Sequence, residues 1–165
     1  DPWYDNQTSG IHLISLCTQL SGKIHRLFTF EAVDGPSPRS DKSTGWGLLT
    51  HDQKIKPRYH ALSFLNQLSG SRLPTEGDGS WVSSLSTKSG STIQTLVVNY
   101  DPKSLHTETT PINYKGLVPG QYQLKTTKYL GKSTTETITV TSPTYTENIY
   151  LEPNTAYLLE LKALN

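Results

Sequence analysis

Residues 23–51 read KIHRLFTFEAVDGPSPRSDKSTGWGLLTH, a short apolar run, a polar loop and a return centred on Trp46. No turn former interrupts residues 24–33, and apolar side chains fall on both alternating sets of that run. A strand that is covered on both faces has this pattern, whereas a half-exposed strand alternates apolar and polar residues. The stretch therefore predicts an interior parallel strand at 24–33, followed by an exposed loop at 34–44.

Helices are predicted on both sides of this strand. Apolar residues recur at spacings of three and four over 9–20, with Thr8 or Ser9 as the expected N-cap. A second helix is expected at 57–69, because Pro57 suits a first helical turn. A single parallel strand has no hydrogen-bonding neighbour in such an order, so either another part or chain supplies the neighbours or the strand prediction is wrong.

The pattern changes after Ser71. A connector is expected at 71–79 and an antiparallel β-sandwich at 80–165, because short β-type runs there alternate with turn signals at roughly ten-residue spacing. Threonine-rich alternation predicts sheets with one buried and one solvated face. The predicted strands are 81–86, 93–100, 109–117, 122–130, 136–141, 146–151 and 156–162, with hairpin signals at 88–90, 119–120, 130–132 and 153–154.

Composition excludes several classes of partner. The 165 residues carry a formal net charge of +1 with scattered Lys and Arg, which argues against nucleic acid and anionic lipid as partners. No apolar run approaches the roughly 20 residues needed to cross a bilayer. The single cysteine, Cys17, lies among apolar neighbours and is expected to be a buried, inert thiol. The Asn6-Gln7-Thr8 sequon would matter only in a secretory eukaryotic setting, so an extracellular location stays open.

No cofactor or metal site is expected. His25, His51 and His60, with Asp52, match no spacing of metal ligands, and structural or surface roles are favoured for them. No G-x-S-x-G or comparable nucleophile setting is present either.

Several phrases taken in order resemble a known family. They are FTFEAVDG at 28–35, WGLLTHDQKIKPRYHALSFLNQL at 46–68 with KPRYHAL at its centre, VVNYD at 97–101 and GLVPGQYQL at 116–124. This order is similar to the C-terminal part of clan-A glycoside hydrolases of the (β/α)8-barrel type. The resemblance implies an α/β fragment, the last helix, strand and helix of a TIM barrel at 1–70, followed by an all-β antiparallel sandwich. The start at Asp1 without an initiator Met favours the same interpretation, a fragment, over a mature form or an excised domain.

The resemblance also makes an implication about mechanism. The two catalytic carboxylates of these enzymes end the fourth and seventh barrel strands, and both positions would precede Asp1. Retaining hydrolysis needs two carboxyl groups about 5 Å apart, so the isolated chain is predicted to be inactive and to have no catalytic residue of its own. Its carbohydrate substrate would be bound through the parent enzyme, whose N-terminal barrel portion is missing here.

What the chain would contribute is one wall of the cleft, since active sites of these barrels form at the C-terminal ends of the strands. The substrate-binding candidates are Glu31 and Asp34 as acceptors for sugar hydroxyls, with Phe30 or Trp46 as a stacking face. Structural alternatives stay open: an ion pair for Glu31, a turn-forming role for Asp34, and a core position behind the loop for Trp46.

A rival from another class is a non-catalytic carbohydrate-binding or Ig-like adhesion module, in which 71–165 is the sandwich and 1–70 an α/β cap. Four aromatic residues separate the two hypotheses: Trp81, Tyr100, Tyr145 and Tyr150. A flat solvent-facing strip formed by these side chains would favour binding, whereas burial would favour a sandwich that braces the barrel.

Overall fold

The computed structural model of the protein describes residues 5–35, 45–77 and 81–164. The chain divides into two compact units, residues 1–67 and residues 68–165. Two helices lie in the first unit, and eight strands form the second. Among the residues so described, no helix has both the length and the apolar character that a membrane span requires.

The helices of the first unit are α1, Gln7–Leu20, and α2, Pro57–Leu65. Both predicted helices are confirmed, with different ends. The cap of α1 is Asn6, whose side chain accepts a hydrogen bond from the backbone N–H of Ser9, so the helix begins earlier than predicted. Pro57 occupies the start of α2 as expected, but that helix ends four residues before the predicted residue 69. The two helices pack against each other, and their buried apolar residues include Ile11, Ile14, Ala61 and Phe64.

The predicted strand at 24–33 is wrong for this chain. In the described residues the only strand-type pairing of this segment is an isolated parallel bridge between Val33 and Leu49. Phe28 is 85% exposed and Phe30 is 65% exposed. A strand needs a hydrogen-bonding neighbour, and the chain offers one only near the end of the segment. The run of apolar residues at 24–33 is typical of a covered strand, but in the described residues most of these apolar side chains are exposed.

The second unit is a β-sandwich with unequal layers. One sheet has six strands in the order β1-β2-β3-β8-β5-β6, and the other has the two strands β4 and β7. Every strand pairing is antiparallel. The strands are β1 Ser71–Leu73, β2 Val82–Ser89, β3 Thr92–Asn99, β4 Glu108–Lys115, β5 Gly120–Lys128, β6 Ser133–Val140, β7 Thr144–Leu151 and β8 Thr155–Leu164.

The core of this unit lies between the two sheets. Side chains of β3, β5 and β8 in the large sheet meet side chains of β4 and β7 in the small one, and each strand contributes alternate residues. The expected alternation holds on β7, but β3 and β8 are buried along most of their length on both faces. The core residues are Val97, Tyr114, Leu117, Tyr122, Leu124, Val140, Ile149, Leu151, Leu159 and Leu161.

All seven predicted strands are confirmed, as β2 to β8. The turn signals at 119–120 and 153–154 were interpreted as hairpins, which is wrong, because the strands that they connect belong to different sheets. Strand β1 was not predicted, and it lies within the segment interpreted as a connector.

The stretch that leads into β1 is fixed to the large sheet. The backbone N–H and the hydroxyl of Ser69 both bond to Oε1 of Gln94, at 2.9 and 3.2 Å. Gly70 follows with φ +83°, and a Cβ there would lie 2.1 Å from the carbonyl oxygen of Lys88. Glycine is therefore required at this position both by the backbone conformation and by the close approach to β2.

Replacement of Gly70 tests this close approach. We expect Gly70→Ala to lower the free energy of unfolding for two reasons. Alanine in the left-handed conformation costs roughly 1–2 kcal/mol. Displacement of the Lys88 carbonyl of β2 by the new Cβ costs about 1–3 kcal/mol more. The matched control is Gly116→Ala, since Gly116 has φ +73° and nothing within 4 Å of its Cβ position. Urea unfolding of both variants measures the difference, and equal losses would show that the close approach is unimportant.

A buried carboxylate organises the loop after β3. Asp101 accepts hydrogen bonds from the backbone N–H groups of Lys103, Leu105 and His106, at 2.9, 2.7 and 2.9 Å, and its Oδ2 lies 2.8 Å from Nδ1 of His106. Asn154 bonds to both the N–H and the carbonyl of Asp101. Burial acts to raise the pKa of Asp101, but these hydrogen bonds outweigh it and hold that pKa well below its usual range.

The lowered pKa of Asp101 predicts a pH dependence. The carboxylate contributes stability above its unfolded-state pKa of about 3.9, and this contribution is lost as pH falls through the lower folded-state pKa. We expect Asp101→Asn to be less stable at neutral pH and to lose less stability on acidification than the wild type. Unfolding midpoints measured from neutral to acidic pH check this. Glu76→Gln, at an exposed position, should keep the wild-type slope; an equally steep acid loss in Asp101→Asn would contradict the assignment.

Candidate functional site

The candidate site is built where two stretches of the first unit lie side by side. The stretch that starts at Glu31 runs parallel to the return after Trp46 and exchanges backbone hydrogen bonds with it. The N–H of Glu31 bonds to the carbonyl of Trp46 at 3.3 Å, that of Leu48 to Glu31 at 3.0 Å, and that of Asp34 to Leu49 at 3.0 Å. These bonds bring the predicted site residues into one region of the chain.

Asp34 is buried beneath this region. Its Oδ1 accepts a hydrogen bond from the backbone N–H of Gly47 at 2.6 Å, and its Oδ2 lies 3.0 Å from the Lys56 ammonium. Its carbonyl oxygen is 3.3 Å from Nδ1 of His51. The Asp34 carboxylate is therefore bonded within the unit and is not presented to solvent. Most of the loop predicted at 34–44 lies outside the described residues.

Lys56, which immediately precedes α2, is the partner of several groups. Its buried ammonium lies 2.5 Å from Oδ1 of Asp5, 3.0 Å from Oδ2 of Asp34 and 2.7 Å from the carbonyl oxygen of Gly45. The ammonium donates hydrogen bonds to both carboxylate oxygens of Asp34 and to the Gly45 carbonyl, and its contact with Asp5 is an ion pair. A buried charge is tolerated when it is paired and hydrogen-bonded in this way.

Glycines on both sides of Trp46 make room for the buried carboxylate. A Cβ on Gly45 would lie 2.2 Å from Oδ1 of Asp34, and a Cβ on Gly47 would lie 2.6 Å from the Asp34 backbone nitrogen. Any side chain at either position would displace Asp34. The Gly-Trp-Gly sequence therefore lets the backbone close over Asp34 while the only side chain between the glycines, that of Trp46, remains partly exposed.

The three other predicted site residues, Phe30, Glu31 and Trp46, are more exposed than Asp34. The rings of Phe30 and Trp46 meet edge to face, with centroids 5.9 Å apart and planes at 62°. Trp46 is 40% exposed, so it is not a core residue behind the loop. Glu31 is half-buried, and no residue in the described ranges forms a hydrogen bond or ion pair with its carboxylate. An exposed aromatic pair and a carboxylate on the residue that follows Phe30 are the groups that a ligand with both an apolar face and hydroxyl groups requires.

Arg58, in the first turn of α2, also belongs to this region, and the sequence analysis missed it. Its Nη1 donates to the carbonyl oxygen of Trp46 at 2.5 Å and to that of Phe30 at 3.4 Å, and its Nη2 donates to the hydroxyl of Thr29 at 2.5 Å. A second cation two residues after Lys56, at the start of a predicted helix, is the only sequence signal for it.

Other candidate residues are placed individually. Cys17 is half-buried, and burial raises the pKa of its thiol, in keeping with the expected unreactive role. His60 meets the ring of Tyr59 edge to face, with centroids 6.1 Å apart. His51 contacts the Asp34 carbonyl, as described above, so two of the three histidines considered for a metal site have structural neighbours of other kinds.

Of the four aromatic residues that separate the rival hypotheses, Tyr145 and Tyr150 lie on opposite faces of one strand, and Tyr100 is half-buried. Tyr145 packs against the core and lies parallel to Tyr114, with ring centroids 6.2 Å apart. Tyr150 is exposed on the opposite face of the same strand, β7. Trp81 stacks on His106 with centroids 4.8 Å apart. The flat strip expected for a binding module is therefore not formed.

Comparison with solved structures finds the fold of the whole chain in glycoside hydrolases. A monomeric beta-xylosidase from Caulobacter crescentus CB15 matches 100% of this chain and 43% of its own, with a TM-score of 0.76 and 15% identity. A GH39 enzyme from Xanthomonas axonopodis pv. citri matches 98% and 42%, with a TM-score of 0.69 and 17% identity. A GH30 endoxylanase from Clostridium papyrosolvens C71 matches 96% and 39%, with a TM-score of 0.60 and 12% identity.

These matches confirm at the level of fold the resemblance that the sequence phrases indicate, to clan-A glycoside hydrolases with a β-sandwich. The chain spans about two fifths of the length of these solved structures. No protein-family model matches the chain, and no curated protein sequence matches it. The likeness is therefore one of architecture.

Removal of the Lys56 charge tests the buried cluster. We expect Lys56→Met to lower the free energy of unfolding by about 3–5 kcal/mol, because it leaves Asp5 and Asp34 as buried carboxylates without their cation. Urea unfolding followed by Trp46 fluorescence, in a chain where Trp3 and Trp81 are replaced by Phe, measures the change.

Lys54→Met is the matched control for this experiment. Lys54 forms an ion pair with Asp52 at 2.6 Å, but both side chains are exposed, and exposed ion pairs contribute little. Similar losses in the two variants would mean that the buried cluster is no more important than a surface pair.

Proposed function

We propose that this chain is the C-terminal part of a glycoside hydrolase, in which it forms one wall of the sugar-binding cleft and a sandwich that braces the catalytic barrel. In this proposal residues 1–70 are the end of a (β/α)8 barrel, 71–79 connect the two parts, and 80–165 are the accessory sandwich. The intact parent hydrolyses O-glycosidic bonds.

The observation that carries the proposal is the unpaired apolar segment that precedes Phe30. Ile24, Leu27 and Phe28 are exposed on a stretch without a strand partner in the described chain. Soluble proteins rarely expose several large apolar side chains together unless another surface covers them. The solved structures of the same fold are more than twice as long as this chain, which supports a barrel portion as the missing cover.

The site geometry supports a role in sugar binding. A pyranose offers an apolar face for stacking and a rim of hydroxyl groups for hydrogen bonds. The exposed rings of Phe30 and Trp46 supply an apolar surface, and Glu31, which follows Phe30 in sequence, supplies a carboxylate. We assign stacking to the two rings and acceptance of a hydroxyl proton to Glu31. Asp34 has an indirect role, since its buried carboxylate fixes the backbone beside Trp46 through Gly47 and Lys56.

Catalysis itself is assigned to residues outside this chain. Hydrolysis of a glycosidic bond needs an acid and either a nucleophile or a base, placed on opposite sides of the bond. Glu31 and the buried, ion-paired Asp34 cannot supply both functions. The chain alone is therefore expected to bind weakly and to turn nothing over.

Assays on two proteins test the proposal. We expect no release of nitrophenol from p-nitrophenyl xyloside, glucoside or arabinofuranoside by the isolated chain, and clear release by the chain extended through the preceding part of its gene. In the extended protein, Phe30→Ala or Trp46→Ala should raise KM by about 2- to 10-fold, which corresponds to the usual worth of one aromatic contact.

Tyr150→Ala is the control, because Tyr150 is an exposed aromatic residue of the sandwich. Its KM should not change. If Tyr150→Ala alone abolished retention on insoluble polysaccharide, or if the extended protein cleaved no glycoside, the binding-module hypothesis would replace the proposed one.

A further inference from the structure

The guanidinium of Arg58 joins the two backbone stretches that carry the exposed rings. It donates to the carbonyl oxygens of Phe30 and Trp46 and to the hydroxyl of Thr29, so that one side chain bonds to both stretches at once. Phe30 and Trp46 are 16 residues apart in sequence. Arg58 therefore adds a side-chain bridge to the backbone hydrogen bonds that join the two stretches, beneath ring centroids that lie 5.9 Å apart.

The chemistry of this bridge requires arginine. A guanidinium presents donors in a rigid planar fork, which can bond to several acceptors in different directions. A lysine at the same place would offer a single ammonium on a flexible stem and could reach one of the two stretches well, but not hold both in a fixed relation.

Arg58 and Lys56 bond to different residues of the two backbone stretches. Lys56 bonds to Gly45 and to the buried Asp34 carboxylate, which lie beneath the surface. Arg58 bonds to the two residues whose rings are exposed. Loss of Lys56 should therefore affect the stability of the unit, whereas loss of Arg58 should affect the surface.

We propose that Arg58 is a positioning residue that sets the edge-to-face arrangement of Phe30 and Trp46, and with it the shape of the aromatic surface that a sugar ring meets. The identity of the ligand as a sugar rests on the proposed function. The positioning of the rings does not, and it can be tested without any ligand.

His12 provides an independent reporter of the guanidinium. Burial lowers the pKa of His12, and the positive charge of Arg58 lowers it further. If Arg58 is held where the structure places it, its removal should raise the pKa of His12, which an NMR titration of the imidazole protons measures.

The main test uses a chain in which Trp46 is the only tryptophan, with Trp3→Phe and Trp81→Phe. Arg58→Gln is expected to remove most of the near-ultraviolet circular dichroism of Trp46 and to lower its fluorescence anisotropy, with the far-ultraviolet spectrum unchanged. Arg58→Lys should retain an intermediate signal. In Arg58→Ala, millimolar ethylguanidinium should restore part of the signal, which a general loss of stability would not allow.

Arg26→Gln is the matched control, since Arg26 is an exposed arginine in the same unit for which the described residues provide no hydrogen bond or ion pair. It should change neither the Trp46 signals nor the His12 titration. An unaltered Trp46 signal in Arg58→Gln would overturn the proposal, and so would failure of ethylguanidinium to restore the signal in a folded Arg58→Ala.

A final measurement separates this proposal from the proposed function. In the extended protein, Arg58→Gln should raise KM for p-nitrophenyl xyloside by about fivefold, the scale of one lost aromatic contact, with a smaller change in kcat. If the Trp46 signals respond as expected but the extended protein cleaves no glycoside, the positioning role stands and the glycosidase assignment fails.

Discussion

One ammonium group holds the first unit together. The Lys56 side chain brings together Asp5 before α1, Asp34 at the turn, and Gly45 on the returning stretch, and Lys56 itself leads directly into α2. Because the ammonium is hydrogen-bonded to Asp34 and Gly45 and ion-paired with Asp5, its buried charge is compensated, and a buried ammonium without partners would be costly. The glycines beside Trp46 close over the Asp34 carboxylate that this ammonium pairs, so the packing of the unit depends on this arrangement.

The regular elements could be predicted where the signal is local. Helices α1 and α2 and the strands β2 to β8 each carry their own periodicity or turn residues, and the sequence shows them without any tertiary information. Strand β1 has only three residues and forms through long-range pairing with β2, so it leaves no such signal. The pattern at 24–33 predicts a covered strand, but in the described residues its apolar side chains are exposed and only Val33 has a bridge partner. The predicted strand failed because pairing and cover depend on tertiary partners, which a local pattern does not reveal.

The site was only partly predictable for a related reason. Phe30, Glu31, Asp34 and Trp46 were found from their position at the end of an apolar run and the start of its return. Whether each of them is buried or exposed depends on partners elsewhere in sequence: Asp34 is bonded to Lys56, 22 residues away. Lys56 and Arg58 were missed because their main partners include backbone carbonyl groups, which every sequence has and no residue pattern marks.

The place of β8 in the large sheet has a consequence for biosynthesis. It pairs with β3 on one side and β5 on the other, although it is the last of the eight strands to leave the ribosome. The hairpins β2-β3 and β5-β6 can form as they emerge, but nothing joins them until translation has passed Leu164. Until then the large sheet consists of two separate hairpins, and the edges of β3 and β5 that later pair with β8 are exposed. Chaperones bind unpaired edges of this kind.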